Sequence, residues 1–220
     1  MQQAIFGNGK PPIKIPASNY NEREIKTIIG LTLKKCTKKL KSKIVHIFIF
    51  PNFNKFKKEK MNGVGGFCSW KNTILLDINP VKGWQNALKR SLCHEFHHSV
   101  IANKRKPPTW TLLESLIYEG MADNFAESIT QKTSIWCKTL SKQKSMAVFQ
   151  KIKKILNKND DKTYQQVFFG KGKKYPRWAG YSIGYQVVKS SLKIHPNFSW
   201  NEMAKIRPEK ILKDSIFGKF

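Results

Sequence analysis

Long apolar runs are missing from this 220-residue sequence. None approaches the roughly 18 to 20 residues needed to span a bilayer, so no transmembrane helix is expected. Cysteine is sparse, at positions 36, 68, 93 and 137 with no CxxC pair. That argues against a disulfide-built secreted domain and suits reduced thiols in a cytoplasmic setting. The stretch Met1 to Gly7 lacks a basic segment followed by an apolar one and a small-residue cleavage site, so a secretory signal is not expected. No internal repeat is present.

Acids and arginines are the other scarce residues. Only 14 acids face 41 lysines and arginines, giving a formal charge of +27. A positive field of that size attracts nucleic acid, anionic membrane or acidic protein. Arginine, however, stands only at 23, 90, 105, 177 and 207. Phosphate and base recognition draw heavily on its bidentate fork, which lysine lacks. Nucleic acid is therefore not the favoured partner, and the lysines read as a solvated surface.

What is present is a globular composition, 40% hydrophobic and 12% aromatic, at a length that suits one domain. Residues 1–20 form a loose, proline-rich leader (Pro11, Pro12, Pro16), and residues 21–220 are expected to form a single domain. Ile25, Ile28, Ile29 and Leu33 recur at helical spacing between Asn21 and about Lys41. Ile44 to Phe50 is β-branched and aromatic, a buried strand in which His46 reads as a core or edge histidine. Gly63 to Trp70, a turn at Lys71-Asn72, and Thr73 to Asp77 read as a hairpin. Its glycines suggest close approach by another backbone. Helical patterns follow at about 84–103, 111–130, 144–157, 176–193 and 200–214, with a break at Lys104 to Pro108 and a capping box at Thr111 and Glu114. The expected class is α+β, a small N-terminal antiparallel or mixed sheet followed by packed helices.

His94-Glu95-Phe96-His97-His98 matches HExxH. On a helix the two imidazoles at i and i+4 share a face, and the intervening glutamate sits near the open coordination position. A catalytic zinc needs one more protein ligand and a place for water. Five of the scarce acids, Glu95, Glu114, Glu119, Asp123 and Glu127, fall between residues 95 and 127. Glu119 and Asp123 lie on one stripe with Leu112 and Leu116, whereas Glu114 has the capping role, so Glu119 is the expected third ligand. Asp123, one turn on, is placed to accept the outward N–H of a ligand histidine, assigned to His94. Gly120 and Ala122 would let the two helices come close. His97 reads as a surface or supporting residue, and Cys93 as inward packing. Two histidines and a carboxylate fit one catalytic Zn2+ ion better than a cysteine-rich structural site. These donor types favour zinc without excluding manganese, iron or cobalt.

HExxH followed by Glu119-Gly120-x-Ala122-Asp123 resembles the gluzincin metallopeptidases. The closer resemblance is to the YjaZ-like bacterial family of predicted zinc-dependent proteases. It is carried by Gly63 to Gly66, Thr73 to Leu76, His94 to His98, Thr111 to Leu113, Glu119 to Ala122 and Trp178 to Tyr185, over about residues 44–193. The resemblance implies a zincin-like pair of active-site helices, with the later glutamate as third zinc ligand.

The expected chemistry is hydrolysis of a peptide or protein substrate, with Glu95 as general base. Tyr181, Tyr185 and His195 are candidate oxyanion donors, Tyr181 ahead of the others, although the same segment also reads as a packed core helix. The glycine-rich strand offers an edge for an extended peptide. Two alternatives stand beside this reading. One is a deformylase-like metal amidase in which Cys68 completes the site. The other is a lysine-rich protein that binds nucleic acid or another anionic partner without catalysis.

Overall fold

The computed structural model describes residues 3–6, 21–42, 45–70, 72–102 and 110–219. The proline-rich part of the leader, Ile44, Lys71 and the break at 104–108 lie outside the described residues. The architecture is α+β. The chain divides into two compact units, one of residues 1–106 and 125–132, the other of residues 107–124 and 133–220.

The first unit is built on a mixed four-stranded sheet in the order β1-β2-β4-β3, comprising β1 (Gln3–Phe6), β2 (Val45–Pro51), β3 (Val64–Trp70) and β4 (Thr73–Ile78). β1 lies within the stretch expected to be a loose leader and runs antiparallel to β2, with Ala4 opposite Ile47. β2 and β4 are parallel, and β3 returns antiparallel to β4 as an edge strand. Asn72 takes the left-handed conformation (φ +58°) that such a turn requires. Alternation sends Val45, Ile47 and Ile49 of β2 and Ile74, Leu76 and Ile78 of β4 into the core.

Helix α1 (Glu22–Lys39) packs Ile25, Ile29, Leu33 and Cys36 inward; Asn21 caps its start, and Lys38 and Lys39 face the negative end of its dipole. A short helix α2 (Lys55–Lys60) follows β2, a polar segment whose N-cap, Asn54, accepts from Lys57 N. Lys57 also pairs with Asp77 at 2.5 Å. Helix α3 (Trp84–Ala102) packs on α1 and on strands β3 and β4.

Helix α4 (Leu112–Thr130) starts at the expected capping box: Thr111 N donates to Glu114 Oε2 at 2.8 Å, and Glu114 N donates to Thr111 Oγ1 at 3.2 Å. In the second unit it is followed by α5 (Lys142–Ile152), α6 (Asp161–Phe169), α7 (Ala179–Ile194), α8 (Trp200–Met203) and α9 (Pro208–Lys213). The continuous helix expected at 200–214 is two short ones, because Pro208 starts a new helix. Helix α6 lies in a stretch where no helix is expected; Asp160 caps it, donor Thr163 N lying 2.8 Å from its Oδ1. The core of this unit gathers Leu116, Phe149, Phe168, Ile183, Val187, Ile211 and Phe217. No helix among the described residues is long and apolar enough to cross a membrane.

Helices α4 and α7 meet backbone to backbone. A Cβ on Gly120 would strike the carbonyl of Gly184, and one on Gly184 the carbonyl of Leu116. Gly120 thus allows a close approach, as expected of it, but the partner is α7. Gly184→Ala is expected to destabilise the protein by about 1–3 kcal/mol through overpacking, read as a lower urea midpoint with an unchanged slope.

Candidate metal centre

Helix α3 is buried nearly all round from Leu92 to Ile101. Phe96 stacks on Phe125 of α4, with ring centroids 6.2 Å apart. His97 is fully buried, 5.6 Å from the same ring, and is therefore no surface residue. Cys93 packs inward as expected, its Sγ 3.6 Å from that of Cys36. His94 and His98 are left one turn apart on the remaining face, with Nε2 atoms 2.9 Å from each other and only 7% and 5% of each residue exposed. Imidazoles at i and i+4 that bring their nitrogens together on one face in this way are able to share a cation.

Glu95 is also buried, and the glycine-rich strand explains how. A Cβ at Gly66 would lie 2.6 Å from Glu95 Cγ and 2.9 Å from its Oε1. The close approach expected at these glycines is therefore made by a side chain, that of Glu95, at Gly66. On the neighbouring Gly65, a Cβ would meet the Lys57–Asp77 ion pair.

Glu119 lies on α4, and Tyr164 Oη of α6 donates to its Oε1 at 3.5 Å. Tyr181, near the start of α7, is hydrogen-bonded to Tyr164. Removal of its phenol from water and, next, the charge of Glu119 push its pKa well above the ordinary value, so the hydroxyl stays protonated. Asp123 receives the Trp136 indole N–H, 3.0 Å from each carboxylate oxygen. The Asn124 amide donates to the carbonyls of Gly120 at 2.8 Å and Tyr185 at 3.0 Å, tying α4 to α7 next to the glycine crossing. The Tyr185 ring carries Lys189 Nζ at 5.7 Å from its centroid. His195 sits beyond the other end of α7, 2.7 Å from Asp214 and stacked on Phe198. Fourteen residues of helix, about 21 Å, separate it from Tyr181, which removes it from any shared task.

A ligand atom from each of His94, His98 and Glu119 lies within 4.8 Å of the other two. This donor set, two imidazoles and a carboxylate, fits a zinc ion with a position left open. Cys68 is not among these donors. Tyr164 and Trp136 are the neighbours the sequence did not reveal: one stands 45 residues from Glu119 and the other 13 from Asp123, and no motif joins them. The Asp160 cap could at least have flagged the helix that carries Tyr164.

Two substitutions follow. Gly66→Ala is expected to displace the Glu95 side chain and lower hydrolytic turnover by about 100-fold or more, the scale of a lost general base, while bound metal is retained. Tyr164→Phe is expected to weaken zinc binding about tenfold in a chelator-competition titration, the low end for a residue supporting a ligand, since its bond to Glu119 is long.

Residues 25–213 match the family described as Predicted Zn-dependent protease (DUF2268). Neither a curated protein nor a solved structure matches the chain.

Proposed function

Because the chain belongs to this family of predicted zinc-dependent proteases, we propose that it is a zinc metallopeptidase whose single ion is held by His94, His98 and Glu119. The observation that carries this reading is the convergence of these three donors on residues that match HExxH and the later glutamate. Bound there, zinc supplies Lewis acidity, polarising a carbonyl and lowering the pKa of water toward about 7.

The chain's own residues do the rest. Glu95 takes the proton of the attacking water and returns it to the leaving amine. Its enclosure at Gly66 supports this role, because the carboxylate has no other side chain in its place on the strand. Tyr181 offers the hydrogen bond of its phenol to the developing oxyanion, a role supported by its nearness to the Glu119 carboxylate. Tyr185, one turn along α7, is the weaker candidate. Asp123, steadied by Trp136, accepts the outward N–H of His94 and fixes its tautomer. The substrate is an extended peptide added to β3, a reading supported by the position of that strand at the edge of the sheet.

Elemental analysis of purified wild type and of Glu95→Gln, Glu119→Ala and Cys68→Ala variants tests the ligand set. Near-stoichiometric zinc is expected in wild type, Glu95→Gln and Cys68→Ala, and loss of zinc in a folded Glu119→Ala protein. Glu95→Gln should reduce peptide hydrolysis by about 10²- to 10⁴-fold at unchanged metal content. A wild-type protein that takes up no metal even from added zinc would remove the peptidase reading.

A further inference from the structure

The connection between α6 and α7 holds an unusual density of left-handed backbone. Gly170, Gly172, Lys173 and Trp178 all have positive φ, at +69°, +73°, +57° and +65°. Glycine adopts this region freely, whereas a bulky residue there is an outlier that persists only where its surroundings impose it, and such outliers cluster at binding sites. Trp178 is held by its own N–H, which donates to the Phe168 carbonyl at 2.8 Å.

This conformation sets the half-buried indole of Trp178 6.3 Å from that of Trp136, itself half-buried and 6.1 Å from the Tyr181 ring. Phe169 stands 6.3 Å from Tyr181 on another side and is 39% exposed; Ile135, preceding Trp136, is 41% exposed. Phe169 also lies 5.9 Å from the ring of Tyr164, whose hydroxyl donates to Glu119, and the Trp136 indole donates to Asp123, so this open apolar group borders the acids of α4. Packing alone accounts poorly for it: Phe168 and Ile183 fill the core beneath, while a strained tryptophan and an exposed phenylalanine remain at the surface.

We propose that Trp136, Trp178 and Phe169 line a specificity subsite that takes a bulky apolar side chain, aromatic or branched aliphatic, of the peptide residue beside the bond to be cleaved. This rests on the peptidase reading above. Aromatic walls favour such a side chain through buried area and ring contacts. The segment carrying Trp178 also carries exposed Lys171, Lys173, Lys174 and Arg177, which disfavours a lysine or arginine there.

The test uses the full zinc-loaded chain and a peptide series differing only at the residues flanking the scissile bond. Phenylalanine or leucine at one flanking position is expected to raise kcat/KM at least tenfold over alanine, with lysine below alanine. Trp178→Gly accepts the same φ without strain, so the fold is kept, and together with Phe169→Ala it should bring that ratio toward one. In parallel, the metal-free protein labelled with 5-fluorotryptophan is titrated with N-acetyl-phenylalanine amide and followed by fluorine NMR. The resonances of Trp136 and Trp178, assigned by phenylalanine replacement, are expected to shift, while that of Trp84 stays. Peptide cleavage with no apolar preference, or with a preference that survives in both variants, overturns the subsite and leaves the peptidase reading intact. If no peptide is cleaved the peptidase reading fails, and the fluorine spectra decide the remainder: shifts confined to Trp136 and Trp178 keep an apolar-ligand site, and unmoved resonances overturn it.

Discussion

The site depends on one constraint, a helix that is both buried and polar. Along α3, Ser91, His94, Glu95, His97, His98 and Ser99 are all buried. Each polar group withdrawn from water costs on the order of 1–3 kcal/mol unless something replaces the lost hydration. Ser99 finds the Phe96 carbonyl at 2.8 Å, and Glu95 finds room over a glycine. The paired imidazoles bring their Nε2 atoms to 2.9 Å from each other, one donating and the other accepting as their tautomers dictate. Hydrophobic packing of Leu92 and Phe96, both fully buried on one face, keeps the helix from turning to expose these groups.

Acid is rare in this chain, and the structure shows where it is placed. Glu114 and Glu202 close capping boxes, Asp160 caps α6, and the hydrogen bonds at Thr163 and Ser199 hold the carboxyls of Asp160 and Glu202 below their ordinary range. Asp214 is lowered chiefly by its bond to Lys210 and ties α9 to His195. Asp77 answers Lys57. Against so strong a positive background, Glu95 and Asp123 are buried and Glu119 is half-buried on two helices.

Local pattern made much of this legible. The stripe Ile25, Ile28, Ile29 and Leu33 marks α1, alternation marks β2 and β4, and HExxH carries its own geometry because i and i+4 share a helix face. Contacts between distant segments were not legible. Gly66 makes room for Glu95 from 29 positions away, and Tyr164 reaches Glu119 from 45. Gly120 shows the same limit: a small residue states that something comes close but not what, and the neighbour was α7. Proline carried information that periodicity obscured, since Pro208 divides a stretch that otherwise scans as one helix.

The glycine crossing of α4 and α7 also has an entropic meaning. Glu119 directly precedes Gly120, so the donor is carried on a segment fixed by contact between two main chains. Side chains at a helix interface hop among rotamers, whereas two backbones in contact have none to explore. The backbone that carries this carboxylate is therefore set before any ion arrives, which leaves only side-chain rotamers to be ordered when one binds. A scaffold of this kind anchors the base of the donor, at the cost of tolerating almost no side chain at residues 120 and 184.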